Sequence, residues 1–264
     1  MNKKIKFSII MPTYNRAFCI IDAINHVLKQ VYKNFELIII DDGSNDGTDK
    51  LIQKRYAKEI KSGKIVYKKL EKNSGVCYAR NEALKLAKNE WIAYCDTDNK
   101  MLKNHLKSFA DAIIENPKRL TFYARIKHRN SGIEYGKPFN YNDLTKSNFI
   151  DMGVFVHNIS LYKKYGGFDE NIKRLVDYDL ILTYTKHNKP IFIDKILLDY
   201  NDDDNIKRIT NSEKFNLDYI RRKHKIKEIK EKKKFKVFDK VKLKNGRRHI
   251  YLFGMKIISY REKR

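Results

Sequence analysis

Apolar runs alternate with helical apolar stripes along the first hundred positions of the chain. Short runs rich in β-branched and aromatic residues predict strands at 5–12, 35–41, 64–69 and 90–95. Between them, apolar side chains recur at the spacing of one helix face, which predicts helices at 18–31, 47–60 and 76–88. Strands and helices that take turns favour a doubly wound α/β sheet. The strands are apolar throughout, which indicates that helices cover both faces of the sheet.

The second hundred positions show a weaker pattern. We predict helices at 101–115, 158–165 and 176–187, and strands at 119–126, 152–157 and 190–200. Residues 127–150 are polar, with glycines and aromatic residues, and no helix or strand is predicted there. We expect this segment to be a long functional loop.

Positive charge is concentrated at the C-terminal end. The 264 residues include 57 Lys and Arg against 32 Asp and Glu, a formal net charge of +25. Residues 213–264 contain 20 Lys or Arg and 6 Asp or Glu, which is +14 of that surplus. We therefore predict a domain at 1–212 and a basic extension at 213–264. In the extension we predict a helix at 213–234, strand-like pieces at 234–238 and 247–260, and a turn at Asn245 and Gly246. Such a surplus implies an acidic partner: nucleic acid, anionic lipid or a phosphorylated substrate.

Several features predict a protein on the cytoplasmic side of a membrane. Cys19, Cys77 and Cys95 are odd in number and lack metal-ligand spacing, so we expect reduced thiols. The first apolar run is interrupted at Pro12, unlike that of a signal peptide. No stretch approaches the roughly 18 apolar residues that a membrane span needs. The hydrophobic content of 42% is typical of a globular chain.

Polar and acidic residues follow three of the predicted strands. PTYN at 12–15 ends the first strand, DDGS at 41–44 ends the second and DTD at 96–98 ends the fourth. In an open parallel sheet these ends share one crevice, where ligands bind. Crowded carboxylates raise one another's pKa unless a cation neutralises them, so we expect a divalent metal. The dinucleotide fingerprint and the phosphate-loop motif are absent, which argues against NAD enzymes and common NTPases.

Five short motifs follow one another along residues 5–210. They are FSIIMPTYNR at 7–16, IIIDDGSNDGT at 38–48, NSGVCYARNEAL at 73–84, DTD at 96–98, and GFDE at 167–170 with VDYDL at 176–180. Together they resemble the motifs of family 2 glycosyltransferases of the bacterial lipopolysaccharide or capsule type. The resemblance implies a GT-A fold, a doubly wound, Rossmann-like mixed sheet with a basic C-terminal helical and strand extension. It also implies a nucleotide-sugar half at 1–100 and an acceptor half at 101–212.

The resemblance further implies roles for individual residues. By position in the family motifs, the nucleotide-sugar donor, which we expect to be UDP-linked, is bound by Pro12, Thr13, Asn15, Asp41, Asn73, Gly75, Arg80 and Asp96. Asp98 would hold Mn²⁺ or Mg²⁺ on the diphosphate of the donor, where the cation stabilises the charge of the leaving group. Asp177 would take the proton of the acceptor hydroxyl as general base. Direct attack with one base gives inversion at the anomeric carbon.

Two departures from the family pattern affect these roles. Relatives commonly have Glu-Asp where this chain has Val176 and Asp177, so Asp177 is the expected base and Asp179 is the alternative. Relatives also often have a histidine after the last core strand, as a ligand of the metal or phosphate. Asp203 falls at about that position here, so either Asp203 ligates the metal or the third ligand is missing.

The resemblance implies an inverting, metal-dependent glycosyltransferase. It would move a hexose or N-acetylhexosamine from a nucleotide sugar to a glycan or lipid-linked glycan acceptor, in the synthesis of a bacterial surface polysaccharide such as lipooligosaccharide or capsule. One alternative is a sugar-1-phosphate nucleotidyltransferase, although the Gly-rich, Arg-containing N-terminal loop of those enzymes is absent. Another alternative is a basic binding module for nucleic acid or membranes in which the sugar site has decayed.

The extension at 213–264 has more than one interpretation. It can be a solvated Lys-rich segment, or it can dock on an anionic membrane, because clustered Lys and Arg lie near Phe253, Met255 and Ile257. Docking would make a cytoplasmic enzyme peripheral to the inner membrane. We do not expect nucleic acid as partner, since no zinc-finger, RRM or helix-turn-helix pattern occurs.

Overall fold

A computed structural model of the chain describes residues 4–203, 217–226, 239–242, 247–252 and 255–261. Its first hundred residues alternate between strands and helices as the sequence predicts. The strands are β1 (Phe7–Thr13), β2 (Phe35–Asp41), β3 (Ile65–Lys69) and β4 (Trp91–Tyr94). The helices are α1 (Ile20–Leu28), α2 (Thr48–Arg55), α3 (Ala57–Lys61) and α4 (Val76–Leu86). The helix predicted at 47–60 is thus divided at Tyr56, whose hydroxyl donates to the Ile21 carbonyl of α1 (3.0 Å).

The next hundred residues contain shorter elements. The strands are β5 (Lys100–Met101), β6 (Thr121–His128), β7 (Glu134–Tyr135), β8 (Phe155–Asn158) and β9 (Ile191–Tyr200). The helices are α5 (His105–Glu115), α6 (Tyr141–Lys146), α7 (Ile159–Tyr165) and α8 (Val176–Thr185), with a 3₁₀ turn at Met152–Val154. The helix predicted at 101–115 begins only at His105, because the residues before it pair with β9 as β5.

β1 to β9 form one mixed sheet in the order β3-β2-β1-β4-β8-β6-β9-β5, with β7 paired to β6. β1 lies parallel to β2 and β4, whereas β8 lies antiparallel to β4 and β6. The chain passes from β1 to β2 and β3 on one side, and then returns to the other side of β1 as β4. Such a reversal creates a crevice at the carboxyl ends of the strands, where α/β proteins bind ligands. The loops after β1, β2 and β4 line it, and the predicted doubly wound sheet is confirmed.

The sheet separates two hydrophobic cores, because successive residues of a strand face opposite sides. In β2, Leu37 and Ile39 pack into one core, and Ile38 and Ile40 pack into the other. All four side chains are fully buried. The apolar run in this strand therefore reflects burial on both faces, and it fixes the end of β2 at the crevice.

Residues 127–150 contain regular structure that the sequence pattern did not predict. β6 extends to His128, β7 pairs with it and α6 follows. Tyrosine hydroxyls hold the segment together: Tyr123 donates to the Lys137 carbonyl (2.5 Å) and Tyr135 donates to the Asn148 carbonyl. Bonds of this kind leave no periodic signal in a sequence, which explains why the segment seemed irregular.

The basic extension begins with a helix that packs on the main domain. This helix, α9 (Leu217–His224), lies inside the helix predicted at 213–234, whose residues outside 217–226 are not among those described. Ile220 of α9 is fully buried in the same core as Ile38 and Ile40. The first part of the extension therefore contributes to the packing of the domain.

Three further strands follow in the extension. β11 (Arg247–Leu252) pairs antiparallel with both β10 (Asp239–Lys242) and β12 (Met255–Arg261). Strands β11 and β12 lie where the sequence predicted strand-like structure, at 247–260. The strand predicted at 234–238 and the turn predicted at Asn245 and Gly246 lie outside the described residues. Among the helices that the structure describes, none has the length and apolar character needed to cross a bilayer.

Candidate active site

The loops after β1 and β2 meet to form one wall of the crevice. Pro12 and Thr13 end β1, and the register places Thr13 beside Asp41 at the end of β2. Asn15 N donates to Ser44 Oγ (2.8 Å), and Asn15 adopts a left-handed φ of 51°, which Asn tolerates better than most residues. Thr13 Oγ1 is buried and has no hydrogen-bond partner within the described residues, so a ligand can use it. Four predicted donor-binding residues thus lie side by side.

Asp41 is fully buried and held by two donors. Ser44 N donates to its Oδ1 (2.8 Å), and the Tyr67 hydroxyl donates to its Oδ2 (2.9 Å). Burial raises the pKa of Tyr67, and the Asp41 carboxylate raises it further, so the phenol remains a donor. A carboxylate accepts about four hydrogen bonds, which leaves Asp41 able to accept from a ligand as well.

Asp42 anchors the turn that carries two other predicted residues. Its two oxygens accept from Ser74 N (2.7 Å) and Gly75 N (2.8 Å), so Asn73 and Gly75 are fixed beside the end of β2. The turn passes close to Gly43, where an added Cβ would lie 2.8 Å from Asn73 N and where φ is +75°. Burial raises the pKa of Asp42, although the two amide donors act in the opposite direction.

Arg80 joins two carboxylates that are far apart in the chain. Its side chain projects from α4 and is buried, and its guanidinium donates to Asp96 Oδ1 (2.9 Å) and Asp177 Oδ1 (2.5 Å). Asp96 follows β4, and Asp177 lies in the first turn of α8. The Phe168 ring packs on the guanidinium, with 5.1 Å from Cζ to the ring centre. Three residues predicted from separate motifs are therefore in direct contact.

Opposing electrostatic effects act on this cluster. Burial raises the pKa of Asp177 and the Asp96 charge adds to this, while Arg80 lowers it, and the net shift is upward. Burial lowers the pKa of Arg80, but the two carboxylates outweigh it and keep the guanidinium charged. The side chain of Asp177 remains 32% exposed. A partly exposed carboxylate with a raised pKa is suited to accept a proton.

The loop after β4 lies against the loop after β1 and against the end of β9. Burial raises the pKa of the Cys19 thiol to about 11, and the nearby Asp98 charge contributes. Asn201 N, just beyond β9, donates to Asn99 Oδ1 (3.0 Å). Asp203 N in turn donates to Asn201 Oδ1 (3.1 Å). The two predicted metal ligands, Asp98 and Asp203, therefore belong to adjoining loops at one corner of the crevice.

The residues of this corner fit a cation that is shared with a ligand. Carboxylate oxygens of the Asp98 and Asp203 type are the ligands that Mg²⁺ and Mn²⁺ prefer. Nowhere in the described part of the chain do three His, Cys, Asp or Glu side chains form a group that could hold a metal ion. Mg²⁺ is commonly bound through one or two carboxylates, with substrate phosphates and water as the other ligands. This donor set therefore suits a cation that is bound together with a diphosphate.

Asp179, the alternative base, is held by α9. It is 2% exposed, Lys223 Nζ donates to its Oδ2 (2.8 Å), and His224 Nε2 lies 2.8 Å from its Oδ1. The sequence motif favoured Asp177 over Asp179, but it gave no sign of these partners, which lie more than forty positions further along the chain. Because α9 holds Asp179, Asp177 is the one of these two aspartates that shares the Arg80 guanidinium with Asp96.

Asp151 is a residue of the site that the motifs did not indicate. It precedes the 3₁₀ turn, where its Oδ1 accepts from Gly153 N (2.8 Å). Burial raises the pKa of Asp151 to about 7, and the charges of Asp177, Asp96 and Asp98 add to the effect. The charges of three other acids, two in the loop after β4 and one on α8, therefore act on Asp151. Asp151 follows the irregular segment, and no residue pattern marked it.

The segment at 127–150 lines a pocket of about 330 Å³. Its lining residues are Glu134, Tyr135, Gly136, Lys137, Ser147 and Phe149. Burial raises the pKa of Tyr135, and the Asp151 charge adds to the effect. Aromatic faces with a few hydrogen-bonding groups are typical of binding sites for small molecules. Residues 127–150 therefore form a pocket of their own, with aromatic faces and polar groups.

Known proteins resemble this chain in sequence and in fold. Residues 8–165 match the model of glycosyl transferase family 2. Over 114 residues the chain is 39% identical to TuaG, a putative teichuronic acid biosynthesis glycosyltransferase of Bacillus subtilis. This match covers 43% of the chain and 44% of TuaG. Over 254 residues it is 28% identical to WcaA, a putative colanic acid biosynthesis glycosyl transferase of Escherichia coli. This match covers 91% of the chain and 88% of WcaA.

A third relative has a more specific name. Over 146 residues, 53% of this chain and 55% of the relative, the chain is 34% identical to the UDP-Glc:alpha-D-GlcNAc-diphosphoundecaprenol beta-1,3-glucosyltransferase WfgD of Escherichia coli. The chain thus covers about half the length of TuaG and of WfgD.

Solved structures show the same fold. Residues 1–349 of Staphylococcus aureus TarS, in complex with UDP, align with a TM-score of 0.61 and 26% identity, over 75% of this chain and 60% of the TarS chain. The family match covers more than half of the chain, so the resemblance in the sequence motifs is confirmed. The chain belongs to glycosyl transferase family 2, a family of glycosyltransferases, and its mixed sheet is a GT-A fold.

Proposed function

We propose that the chain transfers a sugar from a UDP-linked donor to a glycan acceptor, with inversion, in the synthesis of a bacterial surface polysaccharide. The observation that carries this proposal is the contact of buried Arg80 with both Asp96 and Asp177. It brings a carboxylate of the nucleotide half within reach of a carboxylate of the acceptor half. Donor and acceptor then meet at one point, as sugar transfer requires.

The donor would bind against the loops after β1 and β2. Asp41 has acceptor capacity for an N–H of the base, Thr13 Oγ1 can donate or accept, and the turn at 73–75 supplies the wall opposite. Pro12, Asn15, Arg80 and Asp96 complete the proposed donor site. UDP is favoured as the nucleotide because TarS, at 26% identity, was solved with UDP and because the name of WfgD specifies UDP-Glc.

Asp98, with Asp203 from the neighbouring loop, would hold Mn²⁺ or Mg²⁺. When bound, the cation would neutralise charge on the diphosphate as the bond to the sugar breaks. The chain would contribute carboxylate oxygens from one corner, and the diphosphate would provide the remaining negative charge. Binding of the cation should therefore depend on the nucleotide.

Asp177 would take the proton from the attacking hydroxyl. Its raised pKa makes it a stronger base than an ordinary aspartate, and its contact with Arg80 fixes its direction. A single base, and attack from the side opposite the leaving group, give inversion. The pocket lined by Tyr135 and Phe149 is the space we assign to the acceptor.

The acceptor class is inferred from the relatives. TuaG and WcaA carry the names of teichuronic and colanic acid biosynthesis, and the name of WfgD specifies a sugar linked through diphosphate to undecaprenol. We therefore propose a glycan or lipid-linked glycan acceptor, and a hexose or N-acetylhexosamine as the transferred sugar. The basic segment after α9 would favour an anionic membrane surface near such an acceptor on the cytoplasmic side.

Within this proposal the domain at 1–212 carries both halves of the site, and the extension at 213–264 attaches to it through α9. Deleting residues 227–264 should lower binding to vesicles that contain anionic lipid while leaving UDP binding unchanged. Equal vesicle binding by the full and shortened chains would remove the membrane assignment.

A panel of nucleotide sugars incubated with Mn²⁺ tests the function itself, because slow hydrolysis of the donor needs no knowledge of the acceptor. We expect the full chain to release UDP from one or two UDP-sugars and not from the matching GDP-sugars. Absence of hydrolysis for every donor, together with absence of UDP binding, would contradict the proposal.

A further inference from the structure

Helix α9 contacts two acidic residues that lie on either side of Asp177 in the sequence. Lys223 Nζ lies 2.7 Å from Asp169 Oδ2 and 2.8 Å from Asp179 Oδ2. His224 Nε2 lies 2.8 Å from Asp179 Oδ1. One helix of the extension therefore connects the GFDE motif to the helix that carries the proposed base.

These contacts are mostly shielded from water. The side chain of Asp179 is 2% exposed and that of His224 is 6% exposed, and neighbouring Ile220 is fully buried. Burial alone would raise the pKa of Asp169, yet hydrogen bonds from Lys223 and other donors bring it down to about 2. An ion pair with so little exposure depends on both partners, because removing one leaves an unpaired buried charge.

The contacts on Asp179 reach Asp177 through the first turn of α8. Asp179 N donates to the Leu175 carbonyl (3.1 Å), which is the first hydrogen bond of this helix. Leu175 adopts a φ of +66°, a conformation that is unfavourable for leucine and persists only where the surroundings hold it. Asp177 lies between these two residues, and from there its carboxylate meets Arg80.

We propose that Lys223 and His224 are positioning residues for Asp177. By holding Asp179 they would fix the first turn of α8, so that Asp177 points at Arg80 and at the acceptor hydroxyl. The inference rests on the proposed function, in which Asp177 is the base. Both positioning residues lie beyond the family match at 8–165, so the reaction would depend on a segment outside that match.

Turnover and donor binding, measured separately on the full chain, test this inference. The assays are hydrolysis of the UDP-sugar that the wild-type chain accepts, and calorimetric binding of UDP with Mn²⁺. We expect His224→Ala to lower turnover roughly tenfold, which corresponds to about 1.4 kcal/mol of activation free energy. The affinity for UDP should change by less than about twofold, because the donor site is built from other loops. His224→Gln should recover most of the loss, because its amide can donate to Asp179.

His187→Ala is the matched control, because His187 is an exposed histidine just beyond α8. A second variant covers the case in which His224→Ala does not fold. Lys223→Met keeps the aliphatic stem of a side chain that is 34% exposed, and it removes only the charge that bridges the two acids. The same reduction of turnover is expected.

A double variant separates positioning from a merely structural role. Asp177→Asn with His224→Ala should be no slower than Asp177→Asn alone, because His224 would act through Asp177. Unchanged turnover in the folded His224→Ala and Lys223→Met variants, or fully additive losses in the double variant, would overturn the positioning role. If Asp177→Asn itself kept full turnover, the base assignment would fail as well, so the two failures are distinguishable.

Discussion

The donor side and the acceptor side of the site are held together in different ways. On the donor side, Asp42 accepts from the amides of the 73–75 turn, and one oxygen of Asp41 accepts from an amide of its own loop. On the acceptor side, ion pairs join residues that are far apart in the chain: Asp177 to Arg80, and Asp179 to α9. The first arrangement follows from strand ends and short motifs. The second depends on which distant side chains meet.

This difference has a functional consequence. Backbone amides are fixed by the sheet itself, so a substitution on the donor side should change affinity for the nucleotide. Ion pairs between distant elements set the position of the proposed base, so a substitution on the acceptor side should change turnover. Substitutions on either side of the site can therefore break this division.

Asp177→Asn should have the largest effect. It preserves the shape of the side chain but removes the proton acceptor, and loss of a general base typically costs about 100-fold or more in rate. The affinity for UDP with Mn²⁺ should stay near that of the wild type. Donor hydrolysis and calorimetry measure the two quantities, and Asp111→Asn, on the exposed face of α5, is the control. An equal fall in affinity and turnover would remove the division between the two sides.

Asp98→Ala should show the opposite pattern. UDP with Mn²⁺ should raise the melting temperature of the wild-type chain more than either does alone, because cation and diphosphate bind together. In the variant, affinity for the pair should fall roughly 10- to 100-fold, as is usual when a metal site loses a supporting group. Asp111→Ala should leave the shift intact. An unchanged melting shift in Asp98→Ala would contradict the assignment of the cation to this corner.

Gly43→Ala tests the donor side through its backbone. Gly43 and Gly63 have nearly equal φ values of +75° and +73°, but only Gly43 is near other atoms, with Asn73 N 2.8 Å from an added Cβ. The loss of unfolding free energy in Gly63→Ala therefore measures the conformational strain alone. Any additional loss in Gly43→Ala measures the steric clash. We expect Gly43→Ala to lose roughly 1–3 kcal/mol of unfolding free energy and to bind UDP more weakly. If urea denaturation gave equal losses of unfolding free energy for Gly43→Ala and Gly63→Ala, the 73–75 turn would not pack against Gly43 as described.

Asp151→Asn should have the smallest effect on nucleotide binding and turnover, and its effect on stability should depend on pH. The pKa of Asp151 is raised in the folded chain from its ordinary value of 3.8 to about 7. Between these values the folded state binds more protons than the unfolded state, so Asp151 makes stability fall as the pH rises from about 4 to about 7. Asp151→Asn should remove that fall and melt higher than the wild type at pH 8, with little difference at pH 4. A parallel pH dependence of both melting temperatures would contradict the burial of Asp151 among other acids.

Much of the donor side could be predicted from the sequence, for physical reasons. Apolar strands buried on both faces, such as β2, have a strong pattern, and the motifs after β1, β2 and β4 are contiguous. Their convergence follows from the parallel order of the strands. The division between α2 and α3 at Tyr56 was not predictable. The Tyr56 hydroxyl donates to a carbonyl of α1, and a contact between separate helices cannot be read from the local sequence.

The acceptor side could be predicted only in part. The family motif placed Asp177, but nothing in that motif indicated that α9 would occupy Asp179. Tyr135 belongs to a segment held by tyrosine-to-carbonyl hydrogen bonds, which have no periodic signature, and Asp151 follows that segment. Side chains that meet across the fold require the fold to be known first.

The central claim is that acids of the donor side and of the acceptor side act at one site. A crystal structure of the full chain with UDP and Mn²⁺ tests it most directly, because anomalous scattering locates the manganese. We expect the uracil beside Asp41, the manganese between the diphosphate and Asp98, and the Asp177 carboxylate facing the end of the diphosphate. Nucleotide bound away from the strand ends, or an Asp177 side chain directed away from the diphosphate, would contradict it.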